Sequence, residues 1–153
     1  MLHRLILAVV PVLLAASPGG DRFDARGPEE KWKLRIEGGG IRLERDGDRG
    51  KDRDTGRIDT VERALGRVRV TGILYYDEVH PIGARNRNGD PIVAIESSEE
   101  PISIEVIETP CIDAKHRPFP TQVAITMYGE TRYRGCGGPL SALEAGLRKN
   151  ATG

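Results

Sequence analysis

The chain is short of aromatic residues: only 5% of its 153 positions are Phe, Trp or Tyr, and it has a single Trp. With 38% hydrophobic residues overall, it can build a modest core but not a large one. It has no excess of charge of either sign. Twenty-three basic side chains face twenty-three acidic ones, which argues against a surface devoted to nucleic acid or another polyanion. It also has no long hydrophobic run. Residues 5–16 are the longest apolar stretch, about twelve residues interrupted by Pro11, whereas a membrane-spanning helix needs about twenty. Phosphate-cradle (GxxxxGK), nucleophile-elbow (GxSxG) and zinc-helix (HExxH) motifs are all missing. A hydrolase built from scattered carboxylates would leave no such motif, and no carboxylate pair stands out. What the chain has in quantity is glycine, 19 residues, with 10 prolines. That composition favours many turns over long helices.

Arg4, the short apolar run and the small residues Ala15, Ala16 and Ser17 are arranged as a secretory signal peptide, read here as residues 1–17. No Cys follows the run to carry a lipid, so the expected location is periplasmic or secreted, with no membrane span after cleavage. The two cysteines, Cys111 and Cys136, are twenty-five positions apart. An even count in an exported chain is most simply one disulfide. Closing such a loop stabilises a domain by roughly 3.5 kcal/mol on the chain-entropy estimate. Metal ligation or a redox couple is the competing reading, and it lacks any CxxC or paired-Cys zinc spacing.

Residues 18–30 are polar, with Gly27 and Pro28, and are read as a flexible arm before a single disulfide-stapled β domain at residues 31–149. Trp32, Leu34 and Ile36 then alternate with charged residues, the period-two pattern of a strand buried on one side. A glycine-rich turn leads to Ile41 and Leu43, in the same alternation, so the two runs form a hairpin. The charge run at 46–59 is expected to be an exposed loop. Further strands are expected around Val68 to Tyr76, at 92–96 and 102–107 with a connection at 97–101, and at Val123 to Met127. Residues 81–90 are read as a loop, and 131–136 as the second arm of a last hairpin. Short strands punctuated by turns indicate an all-β fold, a small antiparallel barrel or sandwich. Ser141 and Glu144 fit a capping box, and Leu140, Leu143 and Leu147 share one face, so a short C-terminal helix is expected on the sheet or over a barrel end.

Two stretches carry a family resemblance. Gly27, Glu29 and Trp32 stand where a GTEPFW motif has its Gly, Glu and Trp. Cys111 and Asp113 match the first and third positions of a CSDGMSD motif, Phe119-Pro120 resembles the aromatic-Pro pair after it, and Gly135-Cys136 the terminal Gly-Cys. In these features the chain resembles a family of small bacterial envelope proteins, many of them lipoproteins and mostly uncharacterised. Lys31 replaces the motif's Phe, and 114–117 do not read GMSD. The resemblance implies a small exported β domain with a Cys pair, and no established reaction.

Candidate chemistry is sparse. Cys111, Asp113 and His116 lie within six residues, with His80 elsewhere, but an oxidised Cys111 offers neither a metal ligand nor a nucleophile. Asp46, Asp48 and Asp52 begin like a calcium loop, yet the sixth-position Gly is missing and Arg57 stands where the closing Glu belongs. Arg67, Arg69, Tyr75, Arg132 and Arg134, with Tyr76, Tyr128 and Tyr133, are the candidate binding surface for an anionic glycan, lipid headgroup or partner protein. Against that, 18 of the 23 basic residues are Arg, so Arg on a wet strand face is also what composition alone supplies. The leading expectation is a non-catalytic binding or envelope-associated module. It needs no cofactor, and its partner is an envelope protein or cell-wall component, not nucleic acid. The alternatives are a metal-binding protein or enzyme centred on Asp113, His116 and His80, and a carrier of a lipid or other small hydrophobic ligand.

Overall fold

The structure is a computed structural model that describes residues 21–47 and 50–149. The expected signal peptide and Asp48 lie outside the described residues. The chain forms ten strands, β1 (Arg22–Arg26), β2 (Trp32–Glu37), β3 (Gly40–Gly47), β4 (Gly50–Ala64), β5 (Arg67–Arg85), β6 (Pro91–Ile107), β7 (Cys111–Ile112), β8 (Pro118–Phe119), β9 (Thr121–Met127) and β10 (Glu130–Gly137), followed by helix α1 (Leu140–Leu147). Eight of them close a barrel in the order β1-β10-β9-β6-β5-β4-β3-β2, all neighbours antiparallel, so the topology is a meander that returns to its first strand. The two-residue strands β7 and β8 form a separate small hairpin between β6 and β9.

Alternation dictates this arrangement. Leu34, Ile36, Leu43, Val70, Leu74, Ile104, Val106, Ile125 and Met127 all point inward and are fully or almost fully buried. Eight strands leave an interior just wide enough for side chains to fill. The outward positions between them are charged: Lys33, Arg35, Arg42, Glu44, Arg67, Arg69 and Glu105. That is the reverse of a lipid-facing barrel band. No helix among the described residues is long and apolar enough to cross a membrane. Turns follow local chemistry. Gly38 and Gly39 both adopt positive φ between β2 and β3, the backbone that a two-residue hairpin turn of matching twist requires.

Several expectations need correction. The flexible arm is instead strand β1, which pairs with both β2 and β10 and so closes the barrel, and a short 3-10 turn at Pro28–Glu30. Phe23 is fully buried and Ala25 nearly so, in strict alternation with Arg22, Asp24 and Arg26. The charged outer positions, two of them paired through Asp24 to Arg22 and Arg35, hid a two-residue apolar signal. The charge run at 46–59 is not a loop. Its described residues belong to β3 (46–47) and β4 (50–59), whose ladder runs from Gly40↔Arg57 to Gly47↔Gly50, and residues 48–49 lie outside the described residues. Likewise, the 97–101 connection and the first half of the 81–90 loop are strand: β5 and β6 pair from Arg67↔Ile107 to Pro81↔Val93, and after a register shift end at Arg85↔Pro91, leaving a turn at 86–90 around Gly89. Backbone pairing with a neighbouring strand overrides weak side-chain patterning.

Helix α1 forms where expected and covers one end of the barrel. Its N-cap is Pro139, with no side-chain cap, so the capping box does not form. Glu144 instead takes a two-pronged ion pair from Arg63, at 2.6 and 2.8 Å. Leu143 is fully buried, and Leu140 and Leu147 pack against the core. Gly146 lies against the Ile36 carbonyl so closely that any Cβ there would collide with it.

Cys111 and Cys136 are disulfide-bonded, with Cα atoms 5.5 Å apart, tying β7 to β10 on the outer wall. The Gly135-Cys136 end of β10 also packs against Trp32. The Gly27 N–H donates to the Trp32 carbonyl at 3.1 Å, and a Cβ on either Gly27 or Gly135 would run into the Trp32 indole. Nearby, Glu30 receives Arg26 at 2.9 Å and Arg117 at 3.4 Å, while Arg117 also grips Asp113. Glu30 is held below the usual carboxylate range by Lys115, Lys33 and Arg117. At Asp113 burial works upward, but the Arg117 and Lys115 backbone N–H groups and the Arg117 guanidinium outweigh it and hold the group low. The cluster is an electrostatic clasp between the β1–β2 turn and the β7–β8 excursion.

Candidate functional site: the open end of the barrel

The inward rows change character at the end away from α1. After Ile41 and Leu43, the next residue of that parity is Arg45. Before Ile102 and Ile104 it is Glu100, and opposite Leu43 lies Asp54. Asp54 and Glu100 are only 4% and 7% exposed. Each has a stated partner. Glu100 accepts the Tyr128 backbone N–H at 2.8 Å and so caps the β9–β10 turn. Asp54 accepts Nη2 of Arg45. Burial raises the Asp54 pKa, and the pull of Arg45 offsets this only in part. For Arg45, burial works downward, but the Tyr133 hydroxyl and Asp54 outweigh it and hold the guanidinium firmly charged.

Arg45 forms part of the lining of an open cleft of about 610 Å³, together with Trp32, Tyr133, Lys31, Arg132 and Arg134. Trp32 and Tyr133 meet with ring centroids 6.0 Å apart and planes tilted by 57°. Arg132 sits at a register shift between Thr131 and Tyr133 in β10, a bulge of the kind that re-aims side chains at barrel rims. It pairs with Glu130 at 3.3 Å and lies over the Tyr128 ring at 5.6 Å. Arg134 makes no ion pair among the described residues. The Nε of Arg45 is buried and has no hydrogen-bond partner. An orphaned buried donor in a native structure calls for an explanation. Four basic side chains therefore converge on two aromatic rings, against one acid on the cleft wall, Asp46.

A second groove, about 240 Å³ on the outer face of β1 to β3, is lined by Arg22, Arg35 and Asp24. There Arg22 and Arg35 share Asp24, at 3.0 and 2.9 Å, and Arg26, Lys33, Arg42 and Glu44 complete the charged lining.

The five surface residues expected from the sequence are not brought together. Arg132 and Arg134 lie on β10 and line the cleft. Arg67, Arg69 and Tyr75 lie on β5, separated from β10 around the wall by β9 and β6. There Glu105 takes Arg69 at 3.1 Å and Arg67 at 3.9 Å, and Tyr75 accepts a hydrogen bond from Arg57. The metal-centred grouping is not assembled either. Asp113 is engaged by Arg117, and no group of three or more His, Cys, Asp or Glu side chains among the described residues is placed to hold a metal. Residues that pattern reading passed over, Arg45, Asp54 and Glu100, carried one legible signal: each continues an inward-facing row one step beyond the barrel's apolar core. No family model, curated protein or solved structure matches the chain.

Proposed function

We propose that the protein is a non-catalytic binding module of the cell envelope or the space outside the cell, and that the open-end cleft receives an anionic group carried beside a flat or apolar moiety. The observation that carries this reading is the buried, unpartnered Nε of Arg45 on the wall of a cleft with two aromatic faces. A guanidinium recognises phosphate, sulfate or carboxylate through paired N–H donors, and aromatic rings supply the apolar contact. The disulfide, the short apolar leader and the resemblance to small envelope proteins support an exported setting. The packed interior argues against a carrier of lipid inside the barrel, since the inward side chains fill it.

Trp32, the single Trp, borders the cleft and reports on it directly. Titrating the mature chain with 4-methylphenyl phosphate should change Trp32 emission saturably, with a dissociation constant in the micromolar to millimolar range. Arg45→Met and Arg134→Ala should each weaken the response at least tenfold, and the probe should be recovered unchanged. An unchanged spectrum at 10-fold millimolar excess, or release of free phosphate, would refute the proposal.

A further inference from the structure

The β5–β6 hairpin is much longer than the barrel requires. Strand β4 leaves β5 after Thr55↔Tyr75, and β9 joins β6 only from Ile102↔Met127. Residues 76–85 and 91–98 therefore pair in the ladder only with each other, a two-stranded ribbon projecting past the open end. Such a ribbon is marginally stable alone in water, and its two free edges are templates for pairing. Its faces differ. On the outward parity, Val79 pairs with Ile95 and Pro81 with Val93. Val79, Val93 and Ile95 are 42%, 44% and 67% exposed, an apolar stripe with nothing over it.

The ribbon is also electrically polarised along its length. Asp77 and Glu99 lie at its base, on the outward parity. Arg85 and Arg87 stand at its tip, in no ion pair among the described residues, and outnumber the one acid there, Asp90. Asp77 and Arg85 lie on either side of Pro81 along β5, with a register shift between Pro81 and Arg85. We infer that the ribbon is a self-association element, and that a second copy of this chain lays its ribbon antiparallel across the same stripe. A two-fold axis near Pro81 superposes the apolar middles and sets the basic tip of each copy against the acidic base of the other. A parallel arrangement would oppose like charges at both ends. A face of two strands about ten residues long covers roughly 300–400 Å² per copy. This is less than half of a standard interface side, about 800 Å², so the dimer should be a micromolar one.

Sedimentation velocity on the mature chain from about 1 to 300 µM tests this. Wild type should pass from monomer to dimer in that range, and Val79→Lys with Ile95→Lys should remain monomeric with the barrel's melting temperature retained. Charge exchange identifies the occupant. Arg85→Glu with Arg87→Glu, and separately Asp77→Lys with Glu99→Lys, should each weaken dimerisation at least tenfold. An equimolar mixture of the two variants should restore it, because both contacts in the mixed dimer are complementary. Monomer throughout the range, or dimers unaffected by these substitutions, overturns the inference. So does a monomer whose Val79 and Ile95 are needed to sediment with phosphatidylglycerol vesicles, which would make a membrane surface the occupant. Because none of the substituted residues lines the cleft, probe binding at Trp32 should survive in every variant.

Discussion

At the α1 end of the barrel, Leu143, Phe23 and Ile36 meet with no exposure at all, and Gly146 lets the helix touch the strand backbone. At the other end, the same inward rows finish in Trp32, Arg45, Asp54, Glu100 and Tyr133, with no helix above them. The first end is closed by apolar contact and, among the described residues, holds no buried side-chain donor without a partner. The second holds an ion pair in partial burial and an orphaned N–H, both costly in the absence of a ligand. The difference separates stability from recognition: one end holds the barrel together, and the other retains polar groups that packing alone does not require. The disulfide and the Glu30 clasp lie on the wall between them.

Removing the bridge should have the largest effect. Cys111→Ser with Cys136→Ser should cost about 3.5 kcal/mol, a fall in melting temperature of about 10 °C or more for a domain of this size. Hydrogen exchange locates the damage: amides of β7 and β8 should lose protection well before those of α1. Equal loss at both places would mean that the excursion and the helix cap form one cooperative unit. Next is Leu143→Ala, which empties a fully buried site and should cost roughly 3 kcal/mol, with Trp32 probe binding unaltered. Weakened probe binding in that variant would break the proposed separation of the two ends.

Much of the capped end was legible in the sequence, because its cause is local. Leu34 and Ile36 declare their strand by alternation, and Leu140, Leu143 and Leu147 declare a helical face. Strand β1 was not legible, because Phe23 and Ala25 are only two inward residues amid charges, and their burial depends on pairing with β10, more than a hundred positions later. The run 46–59 reads as a loop for the same reason: its strand character comes from the ladder to β3 and β5, not from its own side chains. The cleft was half visible. Arg132 and Arg134 were chosen as basic residues beside Tyr133, whereas their grouping with Arg67, Arg69 and Tyr75 assumed a shared patch that the strand order separates. Arg45, Asp54 and Glu100 would have emerged from extending each apolar row by one further step and asking why it ends in a charge.

A smaller effect on stability, with a large one on binding, is expected from replacing the polar pair outright. Arg45→Met with Asp54→Leu should leave stability within about 1 kcal/mol of wild type, since apolar replacement of a buried ion pair is often neutral or favourable. Binding of the aryl phosphate should fall at least tenfold. A loss as large as that from Leu143→Ala would instead make the pair a structural fastening, and the contrast between the ends would collapse.

The smallest expected signal is a slope. Burial raises the Asp54 pKa above its ordinary 3.8, so between 3.8 and the folded value the native state binds the proton more tightly than the unfolded chain does. Ionising Asp54 therefore costs stability as pH rises through that window, and acidification returns it. Glu30, Asp113 and Glu144 have the opposite sign. Their carboxyls are held below 4.5, 3.8 and 4.5, so their contributions are present above those values and fade as pH falls through the lowered ones. Asp54→Asn removes only the first contribution. Urea midpoints from pH 3 to 8 should show a variant-minus-wild-type difference that is flat at neutral pH and shifts against the variant as the medium is acidified toward 3.8. A difference that does not move with pH would mean that Asp54 is not strained by its burial, and that the open end is as settled as the capped one.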